Sequence, residues 1–159
     1  MLGTEGGEIP EFGFRPRAPL VSDRVERTEV DMKLGGVLFE AKLTEGDFQV
    51  QKPELVERYC GFKEIFDSCG LPRKARKYVS YQLLRNVLAA YALEMSICVL
   101  LDARRPDLLE LWYAVMRCVR ITTLRTRCKV LTWQELADCL PPTLQEFLEM
   151  KYGIVSGGS

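Results

Sequence analysis

Asp31, Glu40 and Lys42 are the residues of this chain whose types and spacing could do chemistry together. Val30, Met32 and Leu34 alternate with Glu29, Asp31 and Lys33, then Gly35-Gly36 intervenes and Val37-Leu-Phe-Glu-Ala-Lys-Leu-Thr44 follows, which is the signature of a β-hairpin. A two-residue turn at the glycines pairs Leu34 with Val37 and, counting outward, Asp31 with Glu40. Directly opposed residues of a non-hydrogen-bonded pair lie with Cα atoms about 4.5 Å apart and side chains on one face. Two carboxylates so placed repel unless something bridges them. A divalent cation is the natural bridge, because hard oxygen ligands suit magnesium, manganese or calcium. Lys42 falls on the same face, roughly 7 Å further along the strand from Glu40. An ammonium group there could approach a phosphate or a water held by the metal, and these are the parts that phosphodiester hydrolysis needs.

The same register pairs Glu29 with Lys42, so a cross-strand salt bridge on a solvated face is a second explanation for the lysine. An acid two residues before a lysine also occurs at Asp31-Lys33 and at Glu149-Lys151. The tripeptide alone therefore decides nothing, and both explanations stand.

Composition narrows the chemistry further. The chain has no histidine, which excludes imidazole as general base, as zinc ligand and as the middle member of a hydrolase triad. Six cysteines are present, the closest two nine residues apart (Cys60 and Cys69). Without a C-x-x-C pair or a histidine partner, structural zinc is not expected, and reduced, mostly buried thiols are. Lys plus Arg and Asp plus Glu both number 22, so a nucleic-acid surface would have to come from local segregation of charge.

At 159 residues and 47% apolar composition, one domain with a single core is expected. The most apolar region, Leu83 to Leu101, is interrupted by Arg85 and Glu94, so no membrane span is expected. Met1 to Phe14 carries Glu5, Glu8 and Glu11 and does not resemble a secretory signal, so a cytoplasmic protein is expected.

The surrounding elements must position the trio. Residues 1–27, rich in glycine and proline, are expected to form an irregular arm, residues 28–154 the domain, and residues 155–159 a polar tail. A helix is expected from Pro53 to about Ser68 and another from about Arg76 to Met95, with Leu83, Leu84, Val87, Leu88, Tyr91 and Met95 on its apolar face. Ser96 to Leu101 suits a buried strand, Pro106 opens a helix, and Cys128 to Leu131 suits a last strand. Thr132-Trp-Gln-Glu135 is a capping box, Pro141-Pro142 restarts a helix, and Gly153 suits its C-cap. Trp112 and Trp133 fall at core spacing and are expected to pack rather than stack on bases. This alternation of strands and helices predicts an α/β domain.

Asp31, the run Val-Leu-Phe-Glu40-Ala-Lys42, and a later helix bearing Tyr81-Gln-Leu-Leu-Arg-Asn86 together resemble the PD-(D/E)XK nuclease superfamily, in particular its bacterial restriction-endonuclease-like proteins. The likeness extends over about Thr28 to Ile154, including Leu-Thr-Trp-Gln-Glu-Leu-Ala and Lys-Tyr-Gly-Ile154. It implies a restriction-endonuclease-like core, a small mixed β-sheet with a central hairpin flanked by helices. It implies metal-dependent cleavage of phosphodiester bonds, in DNA first of all, with Mg2+ or Mn2+ held by Asp31 and Glu40, Lys42 as electrostatic catalyst and Gln82 in support. In many of these proteins a polar helix residue, often glutamine, points at the site, and Gln82 matches it. Arg85 and Asn86 lie on the same side at i+3 and i+4. It also implies a homodimer as one arrangement, since cutting both strands needs two sites. The superfamily commonly has a further acid on a helix before the hairpin; residues 1–27 do not read as a helix, and Glu11 and Glu26 are poor substitutes, as is Glu29. A catalytically silent module that binds nucleic acid or a protein with the same fold is the alternative.

Arg73-Lys-Ala-Arg-Lys77 lies at the expected start of the second helix, where cations oppose the helix dipole. Phosphate contact by Arg73, Lys74, Arg76 and Lys77, joined by Arg85, is one account; a later helix start that leaves a solvated basic loop is the other.

Overall fold

The computed structural model describes residues 7–157. The ends of the expected arm and tail, residues 1–6 and 158–159, lie outside them. The hairpin forms as its turn chemistry dictates: strands β2 (Val30–Leu34) and β3 (Val37–Ala41) pair antiparallel with Leu34 opposite Val37, Lys33 opposite Leu38 and Met32 opposite Phe39. Gly35 adopts a φ of 52°, a left-handed conformation that costs a glycine little. Next come α1 (Pro53–Val56), α2 (Phe62–Ile65) and a small hairpin of β4 (Arg73–Lys74) and β5 (Lys77–Tyr78). After α3 (Tyr81–Ala92) come β6 (Ser96–Leu101), α4 (Pro106–Arg117), α5 (Thr122–Arg125), β7 (Cys128–Thr132), α6 (Trp133–Ala137) and α7 (Pro142–Tyr152).

With β1 (Glu11–Phe14), these strands build a five-stranded sheet in the order β1-β2-β3-β6-β7. The first three strands are antiparallel neighbours, whereas β3, β6 and β7 run parallel, each crossover carrying helices. The fold is the expected α/β class: a mixed sheet flanked by helices. The parallel strand β6 is buried along most of its length, which explains its unbroken apolar run.

Two apolar layers sandwich the sheet. Leu38, Ile97, Val99 and Leu101 face the main core with Leu84, Val87 and Leu88 of α3 and Trp112 of α4. Val37, Phe39, Cys98 and Leu100 face the other side, where Trp133 and Leu136 of α6 pack. A third, small cluster of Ala137, Leu148 and Ile154 ties α7 to α6. The Thr132–Glu135 capping box is present, and Gly153 closes α7 at φ 63°.

Four expectations need correction. The arm is not wholly irregular, because Glu11–Phe14 adds an edge strand to β2 with Phe12 opposite Met32. The helix expected over 53–68 is two short ones, split at Gly61, whose φ of 79° no continuous helix allows; a Cβ there would also stand 3.3 Å from Ile65 Cδ1. The helix expected from Arg76 begins at Tyr81, and the basic run Arg73–Lys77 is the β4–β5 hairpin instead. The cysteines are all free but not mostly buried: Cys98 and Cys118 are, whereas Cys60, Cys69 and Cys139 are exposed.

Candidate functional site

Strand alternation puts Leu38, Glu40 and the following Lys42 on the face of β3 that looks toward α3. Glu40 is therefore enclosed although it is charged, with its side chain 3% exposed and that of Lys42 2% exposed. A carboxylate so far from water must find partners, and it finds three. Lys42 Nζ stands 3.0 Å from Glu40 Oε1. Asn86 Nδ2 donates to Glu40 Oε2 over 2.7 Å, and Arg85 Nη2 lies 3.7 Å from the same oxygen.

The helix orients this set internally. Arg85 Nε donates to Asn86 Oδ1 over 3.0 Å, which turns the amide so that its NH2 meets Glu40. Arg85 Nη2 also donates to the Glu29 carbonyl at 3.1 Å, just before β2, and its guanidinium lies 5.8 Å from the Tyr81 ring. One arginine thereby links α3 to β3 and to the segment that leads into β2.

Lys42 is held through its main chain as well. Its N–H donates to Leu100 O of β6 at 2.8 Å, and the Trp133 indole N–H donates to Lys42 O at 3.2 Å. Its ammonium group also lies 3.6 Å from Glu45 Oε1. Burial alone would raise the Glu45 carboxyl's pKa, but backbone N–H groups, its own included, and the Lys42 charge outweigh it and hold the group below the usual value. Arg105 donates to the carbonyls of Glu45 and Gly46 at 3.3 and 2.7 Å and fixes that loop.

Asp31 sits where the hairpin ladder ends. It is exposed, and its Oδ2 accepts the Ala41 N–H at 2.7 Å. The carboxylate thus takes the place of a ladder bond beside Glu40. Gln82 lies one turn before Asn86 on α3; its side-chain Oε1 is buried without a hydrogen-bond partner among the described residues. Among those residues no three His, Cys, Asp or Glu side chains group closely enough to hold a metal ion. Asp31 at the end of β2 and Glu40 on β3 are the carboxylates nearest in the hairpin, and Gln82 lies on the helix that holds Glu40. Magnesium keeps several waters and commonly takes only one or two carboxylates plus substrate phosphate, so two oxygen donors are the least such an ion would need, and both Glu40 oxygens already have protein partners.

The solvated-face account of Lys42 is corrected: its partners are Glu40 and Glu45, while Glu29 pairs with Arg15 at 2.6 Å. Arg85 is separated from the basic run it was grouped with, being 8% exposed beside Glu40, whereas Arg73, Lys74, Arg76 and Lys77 lie on the β4–β5 hairpin. Sequence reasoning placed Arg85 and Asn86 near Gln82 but did not assign them to Glu40. The signal was Asn86 itself, an amide next to Val87 and three residues after Leu83 on a helix face that is otherwise apolar, where an unpaired polar group is costly. Trp133 packs in the core as expected and also donates its indole N–H to Lys42 O.

No helix among the described residues is long and apolar enough to cross a membrane. No curated protein matches the chain, and no solved structure does. A family model does match, over residues 1–153, and its description is Restriction Endonuclease associating with ARP. With nearly the whole chain matched and a mixed sheet flanked by helices beneath it, the chain belongs to that restriction-endonuclease-like family.

Proposed function

We propose that the chain is a divalent-metal-dependent nuclease that hydrolyses phosphodiester bonds, with DNA as its substrate and Asp31, Glu40, Lys42 and Gln82 as its working residues. The observation that carries this reading is the enclosed Glu40 carboxylate, fixed by Lys42, Asn86 and Arg85 at the end of a β-strand beside Asp31. Magnesium or manganese bound there would polarise a phosphoryl oxygen and lower the pKa of a water.

The chain's own residues would do the rest. Asp31 keeps Oδ1 for a cation while Oδ2 is anchored on Ala41 N–H. Glu40 is prevented from turning away by the Asn86 amide. Lys42 would have to exchange Glu40 for a phosphate oxygen as substrate enters, and Gln82 Oε1 would be a further acceptor for a water on the metal. The test is incubation of purified protein with DNA and RNA substrates in magnesium, manganese or chelator. Chelator-sensitive cleavage of DNA is expected; intact substrates in both metals would refute it.

A second reading has a specific observation behind it. Both Glu40 oxygens are already partnered, and two cations neutralise the one carboxylate. A nuclease-fold module that binds nucleic acid, or the ARP partner that the family description mentions, without cutting would show salt-sensitive binding that Glu40→Gln leaves unchanged.

A further inference from the structure

The β4–β5 hairpin is built against its own stability. Lys74 and Lys77 are direct cross-strand partners, like charges facing each other. The two residues between them, Ala75 and Arg76, both have positive φ, 47° and 65°. That is the conformation of a tight hairpin turn in which asparagine and glycine are the usual occupants, and neither residue here has their tolerance for it. Lys74, Ala75, Arg76 and Lys77 are all exposed, and none of the three cations among them has an ion-pair partner among the described residues. Arg73 is different: its guanidinium lies 4.3 Å from the Tyr78 ring centre and 3.8 Å from Glu57, so it buttresses the hairpin from behind.

We infer that Lys74, Arg76 and Lys77 form a docking point for the phosphate backbone of a nucleic acid. This rests on the nuclease reading above and adds to it the place where the substrate strand is held. A polyanion is the partner that relieves facing lysines, and strain retained in a turn is a mark of function. The tip carries no large apolar side chain, since Tyr78 is fully buried beneath it. It therefore lacks the aromatic or aliphatic anchor with which a protein partner or a lipid interface would be gripped. Its position also suits: β5 runs through Val79 and Ser80 directly into α3. Tyr78 and Gln82 are four residues apart, at most about 14 Å of chain, and α3 carries the Asn86 and Arg85 that hold Glu40.

The experiment measures fluorescence anisotropy of a labelled DNA duplex and a labelled single strand over a range of salt, with chelator present to suppress cleavage. Wild type is compared with Lys74→Gln/Arg76→Gln/Lys77→Gln and with a charge-matched control, Arg24→Gln/Lys63→Gln/Lys151→Gln, each checked for folding by circular dichroism. The hairpin variant is expected to reduce the slope of log affinity against log salt by about 2 to 3, roughly one unit for each phosphate that is no longer neutralised, with the control unchanged. Equal slopes in wild type and the hairpin variant would overturn the hairpin's role while leaving nucleic-acid binding standing, as would an equal reduction in the control. Failure of wild type to bind either DNA probe at all would remove the DNA-nuclease reading and this one together. Hairpin-dependent binding to anionic lipid vesicles without binding to nucleic acid would also overturn it.

Discussion

The Asn86 amide of α3 donates a 2.7 Å hydrogen bond to the Glu40 carboxylate of β3, joining residues that lie on the central helix and the central strand. Both side chains are almost wholly buried, so the bond is made in a place where water cannot replace it. Removing the donor leaves a charged acceptor short of a partner, which costs about 1–3 kcal/mol. Asn86→Leu is expected to lower unfolding free energy by that amount in urea titrations, with the m-value unchanged. Asn86→Asp is expected to cost more, because it sets a second negative charge against the first.

The Glu40–Lys42 pair makes a different prediction. Glu40→Gln strands two cations, Lys42 and Arg85, in a low-dielectric site, and breaking a buried pair from one side costs about 3–5 kcal/mol. Glu40→Gln/Lys42→Met removes the stranded ammonium as well. It is expected to be more stable than Glu40→Gln alone by about 1–3 kcal/mol, a coupling that a double-mutant cycle by chemical denaturation reads directly.

Stability should also fall at low pH through Asp102. Hydrogen bonds from the Arg104 side chain, first of all, and from Gln134 hold its carboxyl well below the ordinary aspartate value despite burial. A depressed carboxyl contributes stability above its unfolded value of about 4 and loses it as pH falls toward the folded value. Arg104 also reaches the carbonyls of Tyr152 and Gly153, so this pair closes the end of α7 onto the sheet. Asp102→Asn is expected to be less stable than wild type at neutral pH by about 1–3 kcal/mol, with the gap narrowing below about pH 4. Thermal unfolding across pH measures it, and a gap that stays constant as pH falls would show that the ionised carboxylate is not its source.

Ala75 offers a gain. Its φ of 47° is one that an L side chain with a Cβ adopts at a cost of about 1–2 kcal/mol and glycine adopts freely, though glycine loses part of that advantage through the unfolded chain. Ala75→Gly is expected to raise the midpoint of unfolding slightly while leaving the three cations of the hairpin in place, and calorimetry tests it.

The parts of the fold that were legible in the sequence are those whose signals are local. Gly35-Gly36 fixed the hairpin register, Thr132 and Glu135 marked a helix start, and the run Ser96–Leu101 announced a buried strand. The parts that were not legible depend on long-range partners. Residues 11–14 become a strand only because β2 offers an edge, and Lys74-Ala-Arg-Lys77 turns back without the glycine or asparagine that signals such a turn. The site divides in the same way. Alternation puts Glu40 and Lys42 on one face, but only the packing of α3 makes that face an interior one, and this decides that Lys42 meets Glu40 and not Glu29. Asp102 and Arg104, two residues apart, could not be matched to the end of α7 from spacing at all.

Asp31 is the most direct point at which to test the proposed metal-dependent cleavage, because it is exposed and its replacement by asparagine keeps an oxygen for the Ala41 N–H. The decisive measurement compares cleavage of DNA by wild type and Asp31→Asn in magnesium and in manganese, with both proteins shown to unfold at the same denaturant concentration. Cleavage by wild type that chelator abolishes and that Asp31→Asn reduces by at least about tenfold is the predicted result. Equal cleavage by the two proteins, or none by wild type in either metal, would contradict it.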